Sequence, residues 1–148
     1  MNVTASPTAR WVTQQLREAF PFEGAPRYLL MDRDSIFSAE LGHALRRMEV
    51  CPVRTSLQSP WQNGVAERWV GSWRRELLGH VIVLNAKHLR RLLREFLDYY
   101  HDDRTHLALG KDPPSGRAVH PPPSTTARVT SVPRVGGLHH RYEWREAA

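Results

Sequence analysis

The chain has 148 residues, 41% of them hydrophobic and five of them Trp, enough for one compact core with a tail and too few for two full domains. Lys and Arg number 21 against 15 Asp and Glu, a formal charge of +6, which suits a polyanionic partner better than a metabolite. A single Cys51 excludes an internal disulfide and a cysteine-based zinc site, no apolar run is long enough to span a bilayer, and MNVTASPTARW lacks the plan of a signal peptide. A cytoplasmic setting follows as the expectation, and Arg carries most of the positive charge, because Lys occurs only at Lys87 and Lys111.

In chain order, NVT reads as a possible strand end. Ser6 and Pro7 read as the N-cap and first position of a helix in which Trp11, Val12, Leu16, Ala19 and Phe20 recur at helical spacing until Pro21. The turn FEGAP leads into an apolar strand, YLLM, that runs into Asp32 and Asp34. Ser38 is placed to cap a second helix with Leu41, Ala44, Leu45 and Met48 on one face, and VCPVRTS reads as another short strand. Helices alternating with strands predict an α/β layer with part of its sheet parallel, although two strands are fewer than a stable sheet generally needs.

The segment SLQSPWQNGVAERWVGSWRREL starts as a loop and ends as a helix. Ser59, Pro60 and Gln62 resemble a capping box, with Asn63 a competing cap. Val65, Trp69, Trp73 and Leu77 form a stripe expected to face a core, while Glu67, Gly71 and Arg74 share another face. Asn85 is placed to cap a further helix with Leu89, Leu92, Leu93, Phe96, Leu97 and Tyr100 apolar and Arg90, Arg91 and Arg94 exposed. Beyond Gly110, five of the 11 prolines fall in Pro113 to Pro123, which predicts a loosely packed linker. VTSVPRVGGLHHRYEW then suggests a small hairpin turning at Gly136 and Gly137, with His139 and His140 read as surface histidines.

Asp32 sits where a parallel strand delivers a side chain to the sheet edge that binds ligands in α/β folds. Glu67 starts a helix that follows the next strand, and the 34 residues between them are enough to bring both carboxylates back to one place. Two hard oxygen ligands beside arginines suggest a Mg²⁺ site handling phosphate. The local alternative is that Asp32 and Asp34 cap a turn and Glu67 pairs with Arg68 or Arg74, and spacing alone favours it.

DRDSIFSAEL, TSLQSPWQNGVAERWVGSWRREL and FLDYYHDDRTHLALG, in that order, resemble the integrase core domain of bacterial insertion-sequence transposases and retroviral integrases, the Asp-Asp-Glu recombinases, over roughly Val3 to Gly110. The resemblance implies a ribonuclease H-like α/β fold, a mixed sheet with flanking helices, present here in part. It implies that Asp32 and Glu67 correspond to the second aspartate and the glutamate of a catalytic triad that holds two Mg²⁺ (or Mn²⁺) ions around a scissile phosphate. Asp34 stands where many relatives carry glycine and is a neighbour, not a ligand. The family's first aspartate lies on the first strand of the sheet, upstream of the segment that NVTASPTARW resembles, and nothing here corresponds to it. Glu18 and Glu23, the acidic residues before Asp32, lie near the end of the first helix and in the loop beyond.

The expectation is therefore an N-terminally truncated transposase lacking its first strands, with Mg²⁺ held weakly and little catalysis by this polypeptide alone. It divides into a partial catalytic core at 1–110, a Pro-rich linker at 111–123 and a short basic extension at 124–148. DNA is the expected partner, with Arg54, Gln62, Asn63, Arg68, Arg74 and Arg75 as phosphate contacts and Trp61 as a stacking platform. Association with itself or with an intact transposase is also expected, and no small-molecule cofactor. The alternative function is a non-catalytic module that binds DNA or a transposase.

Overall fold

The computed structural model describes residues 2–21 and 24–146, so Glu23 and the start of FEGAP lie outside the described residues. The chain divides into two compact units, 2–75 and 76–146.

In the first unit α1 spans Ala9–Ala19, β1 Tyr28–Met31, α2 Ala39–Arg47, β2 Cys51–Arg54 and α3 Gly64–Glu76, whose last residue falls in the second unit. Two expectations at the start are corrected. Residues 2–4 form no strand, and the cap of α1 is Thr8, whose hydroxyl accepts the Trp11 N–H at 3.2 Å, so Ser6 and Pro7 lie just outside the helix. A hydroxyl at position 8 satisfies one of the helix's open donors, and Ser6 is two residues too early to do so. At Ser38 the helix begins where the sequence put it, at Ala39, but the Ser38 hydroxyl makes no cap hydrogen bond.

β1 and β2 pair in parallel, Tyr28 opposite Cys51 through Met31 opposite Arg54. Alternation turns Leu29 and Met31 toward the helices, and Met31 closes a core with Leu41, Leu45 and Val50 that is 3% exposed or less at each residue. Val12 and Leu16 of α1 and Phe37 complete it. Tyr28, Leu30 and Val53 belong to the opposite set and remain exposed. The Cys51 N–H bonds to the Arg27 carbonyl and the Thr55 N–H to that of Met31, both at 2.9 Å, so alternate donors of β2 point at β1 and Pro52, which has none, faces away.

In the second unit α4 spans Ala86–Asp102 and a hairpin follows, β3 Arg128–Arg134 and β4 His139–Arg145, antiparallel with Val129 opposite Trp144 and Ser131 opposite Tyr142. Asn85 caps α4 by accepting the His88 N–H at 2.9 Å. Leu92, Leu93 and Phe96 are buried, as the apolar stripe predicts, and so is Leu77. Arg90 is half-buried, not exposed, and its Nε lies buried without a hydrogen bond. The hairpin turns through Val135–Gly137 with φ of 65° at Gly136 and 93° at Gly137, backbone that a side chain would strain. The Pro-rich stretch is not loose throughout. Pro113 is buried and the Ser115 N–H donates to the His101 carbonyl at 3.0 Å.

Leu41 is fully buried and Asn85 exposed, which separates their energetic roles. Leu41→Ala is expected to cost about 3 kcal/mol through lost burial and a residual cavity, and Asn85→Ala about 1 kcal/mol through the lost cap. Urea unfolding followed by circular dichroism measures both.

Candidate nucleic-acid site

The parallel register places the carboxyl ends of β1 and β2 on one edge of the sheet. Asp32 follows β1 directly and Thr55 follows β2, and the Arg33 Nε donates to the Thr55 carbonyl at 3.0 Å, tying the two exits together. Asp32 is exposed, and its Oδ1 accepts the Asp34 N–H at 3.0 Å. Asp34 Oδ1 in turn accepts the Ile36 N–H at 2.9 Å and the Ser35 hydroxyl at 3.3 Å. Both aspartates thus do the local work of turn-forming residues, which leaves Asp32 Oδ2 as an open, solvent-facing acceptor. Glu18, the other carboxylate before them within the described residues, is engaged by Asn2 and Gln14.

From Thr55 the chain leaves the same edge and reaches α3 through a loop. Gln62 closes this loop by accepting the Ser56 N–H on its amide oxygen at 2.6 Å and donating to the Ser56 hydroxyl at 3.2 Å. The expected capping box is therefore corrected. Ser59 makes no cap bond to the helix, Pro60–Asn63 form a 3-10 turn, and α3 starts at Gly64, because Gln62 is occupied with Ser56. Trp61 is 73% exposed and Val65 87% exposed, so Val65 does not belong to the buried stripe. That stripe begins one turn later, where Trp69 and Trp73 meet edge to face at 5.2 Å.

Glu67 lies in the first turn of α3, exposed and in no ion pair with Arg68 or Arg74 among the described residues. Carboxylates are favoured at this end of a helix by its dipole. Arg68, Arg74 and Arg75 are exposed, and the Arg75 guanidinium folds back over Gly71, where an added Cβ would meet its Nη1 at 2.8 Å. Arg54, at the end of β2, donates to the Phe37 carbonyl and so helps hold the loop after Asp32. Asn63 is half-buried. Arg54 and Gln62 thus have structural duties that their composition did not announce, whereas Trp61, Arg68 and Arg74 stand open to solvent.

Among the described residues no three His, Cys, Asp or Glu side chains are grouped so as to hold a metal ion. Asp32 and Glu67 are hard oxygen donors of the right type for Mg²⁺, but two carboxylates do not replace enough of its waters to make a site on their own. The donor set does not fit a self-sufficient two-ion centre.

The second unit holds polar groups that sequence spacing did not single out. Arg104 grips the Glu76 carboxylate with two hydrogen bonds, at 2.7 and 2.8 Å, which raises the guanidinium's pKa above its usual value. His139 is not a surface histidine. Its ring stacks on Tyr99 at 4.3 Å and its Nε2 donates to the Glu76 carbonyl at 2.7 Å, and burial raises the Tyr99 pKa. His140 is exposed, as expected.

Comparison with known proteins bears on the family. Residues 48–114 match the family model of the Integrase core domain. No curated protein sequence matches the chain significantly. Among solved structures, a chain in the cryo-EM structure of the simian T-cell lymphotropic virus intasome in complex with PP2A regulatory subunit B56 gamma is similar in fold, with a TM-score of 0.54 and 19% identity. The match covers 96% of this chain and 54% of that one, so the chain spans about half the length of the structure it resembles. The mixed α/β arrangement of the described residues, with four α-helices and two small sheets, is consistent with a partial ribonuclease H-like fold. No helix among the described residues is long and apolar enough to cross a membrane.

Because Asp32 and Glu67 are exposed, Asp32→Asn and Glu67→Gln are each expected to change stability by less than about 0.5 kcal/mol. Urea midpoints compared with the parent chain measure this, and a larger loss would assign either carboxylate to the fold.

Proposed function

We propose, from the premise that the chain carries an integrase core domain of the ribonuclease H-like superfamily, that it serves DNA integration and recombination, the chemistry of transposition, by gripping DNA at the carboxyl edge of the β1–β2 sheet. The observation that supports this most directly is the parallel register, which sends Asp32 and the loop leading to Glu67 out of one edge. Sheets of this class bind their ligands outside the carboxyl ends of their strands.

In this reading Arg68, Arg74 and Arg75 hold phosphates, since a guanidinium offers both charge and a planar pair of donors. Trp61, exposed on its loop, gives a base a face to stack on. Asn63 adds a polar contact, while Arg54 and Gln62 act mainly by shaping the loop. Asp32 and Glu67 are the carboxylates that this polypeptide contributes to metal-dependent strand cleavage and transfer. Alone they hold Mg²⁺ or Mn²⁺ weakly, so turnover requires ligands beyond the described residues. The polypeptide by itself then acts as a DNA-binding module, alone, with a second copy or with an intact transposase.

Two measurements test it. Affinity for a duplex oligonucleotide is expected to fall linearly on a log–log plot against salt, and the double variant Arg68→Ala, Arg74→Ala to bind about tenfold more weakly or worse. Salt-insensitive binding, or none, would refute the DNA reading. A nicking assay with Mg²⁺ or Mn²⁺ is expected to show no turnover by the chain alone, and robust cleavage abolished by both Asp32→Ala and Glu67→Ala would overturn that part.

A further inference from the structure

Residues 81–84, the run VIVL ahead of α4, belong to neither helix nor strand. Their backbone is nevertheless strand-like at both ends, with φ −133° and ψ 147° at Val81 and φ −164° and ψ 174° at Asn85, the residue that follows. Ile82 is 84% exposed, Leu84 76% and Val83 41%. Val81, Ile82 and Val83 are β-branched, a shape that suits a pleated sheet. Among the described residues the N–H of Leu84 meets only the His88 ring, at 3.3 Å, and no backbone hydrogen bond reaches Ile82 or Val83. A stretch this apolar, extended and uncovered has the form of a strand without a sheet.

The first unit offers a sheet edge without its next strand. Cys51 and Thr55 donate to the carbonyls of Arg27 and Met31, so the N–H and C=O groups of Tyr28 and Leu30, which alternate with these, point to the outer edge of β1. No backbone hydrogen bond reaches that edge among the described residues. Tyr28, Leu30 and Val53 share the exposed face beside it. Two strands of four residues each are near the lower limit of a stable sheet, and a third would raise them above it.

We propose that residues 81–84 of one copy of this chain add as a third strand to the outer edge of β1 in a second copy. Each feature lacks what the other supplies. The edge needs alternating backbone donors and acceptors on an extended chain, and the segment brings four such residues to a strand of four. Ile82 and Leu84, on one side of the segment by alternation, then lie beside Tyr28 and Leu30 and cover apolar surface that is otherwise left in water. Neither VIVL nor YLLM contains a charged residue, so the pairing buries no unpaired charge. The occupant is this chain because it carries the matching segment itself, in equal number to the edges. The inference deepens one part of the reading above, association with a second copy, and is independent of its DNA contacts.

Sedimentation velocity without DNA, over about a hundredfold range of concentration, tests it. The parent chain is expected to self-associate. The edge variant Tyr28→Lys, Leu30→Lys and the segment variant Ile82→Lys, Leu84→Lys, all at exposed positions and checked for folding by circular dichroism, are each expected to associate about tenfold more weakly or worse. An equimolar mixture of the two variants is expected to form a heterodimer, because it restores one intact edge and one intact segment. Hydrogen exchange on the parent, which needs no variant, is expected to slow in residues 28–31 and 81–84 together as concentration rises. A monomeric parent, a variant of either kind that associates as the parent does, variants that fail to complement each other, or exchange that slows in only one of the two segments would each overturn the proposal. Duplex binding and its salt dependence, measured separately, decide the DNA reading whichever way this falls.

Discussion

The parallel pairing of β1 with β2 is the constraint on which the candidate site depends. Parallel neighbours require a crossover, and α2 supplies it, packing on α1 and on β2 and burying Leu41 and Leu45 beneath the strands. The crossover returns the chain so that both strands end at the same edge, and the Arg33 to Thr55 bond fixes the two exits. An antiparallel pair would have sent Asp32 and the loop to Glu67 from opposite ends. The apolar face of a nine-residue helix therefore decides which polar residues share an edge.

Much of this was legible from the residues. A short apolar run marks YLLM, a short strand-like run marks VCPVR, and a 3.6-residue period marks the faces of α2 and α4, where burial selects the same residues that periodicity displays. The hairpin turn announced itself through Gly136 and Gly137. What failed were choices between equivalent local partners. Ser6 and Thr8 are both good caps, and only the packing of Val12 and Leu16 on the core decides where α1 starts. Gln62 had two uses, one at the helix and one at Ser56, and nothing in spacing ranks them. Asp32 shows the limit most clearly, since a turn-forming aspartate and a ligand at a sheet edge have the same sequence signature and the carboxylate serves the first role in any event.

The second unit is organised differently, around polar groups that share enclosed space with aromatic rings. Arg104 meets Glu76 through two bonds, sits 5.3 Å from the centre of the Tyr100 ring, and stands one residue from the Asp103 carboxylate that Arg117, Arg134 and Arg141 approach. His139 bridges a ring and a carbonyl. Partners 63, 31 and 28 residues apart in sequence make these bonds, which is why no local pattern disclosed them. Arrangements of this kind are costly to break on one side, because the group left behind stays enclosed without its counterpart.

Pro52 gives the small sheet a direction. With the N–H groups of Cys51 and Thr55 turned toward β1, position 52 is a rung on the outward side of β2, and proline leaves that rung without a donor. A strand approaching from there would find an interrupted ladder, whereas the far side of β1 carries a full set of donors and acceptors. A further strand would therefore find more backbone partners beside Tyr28 and Leu30 than beside Pro52, a preference set by a single imino acid.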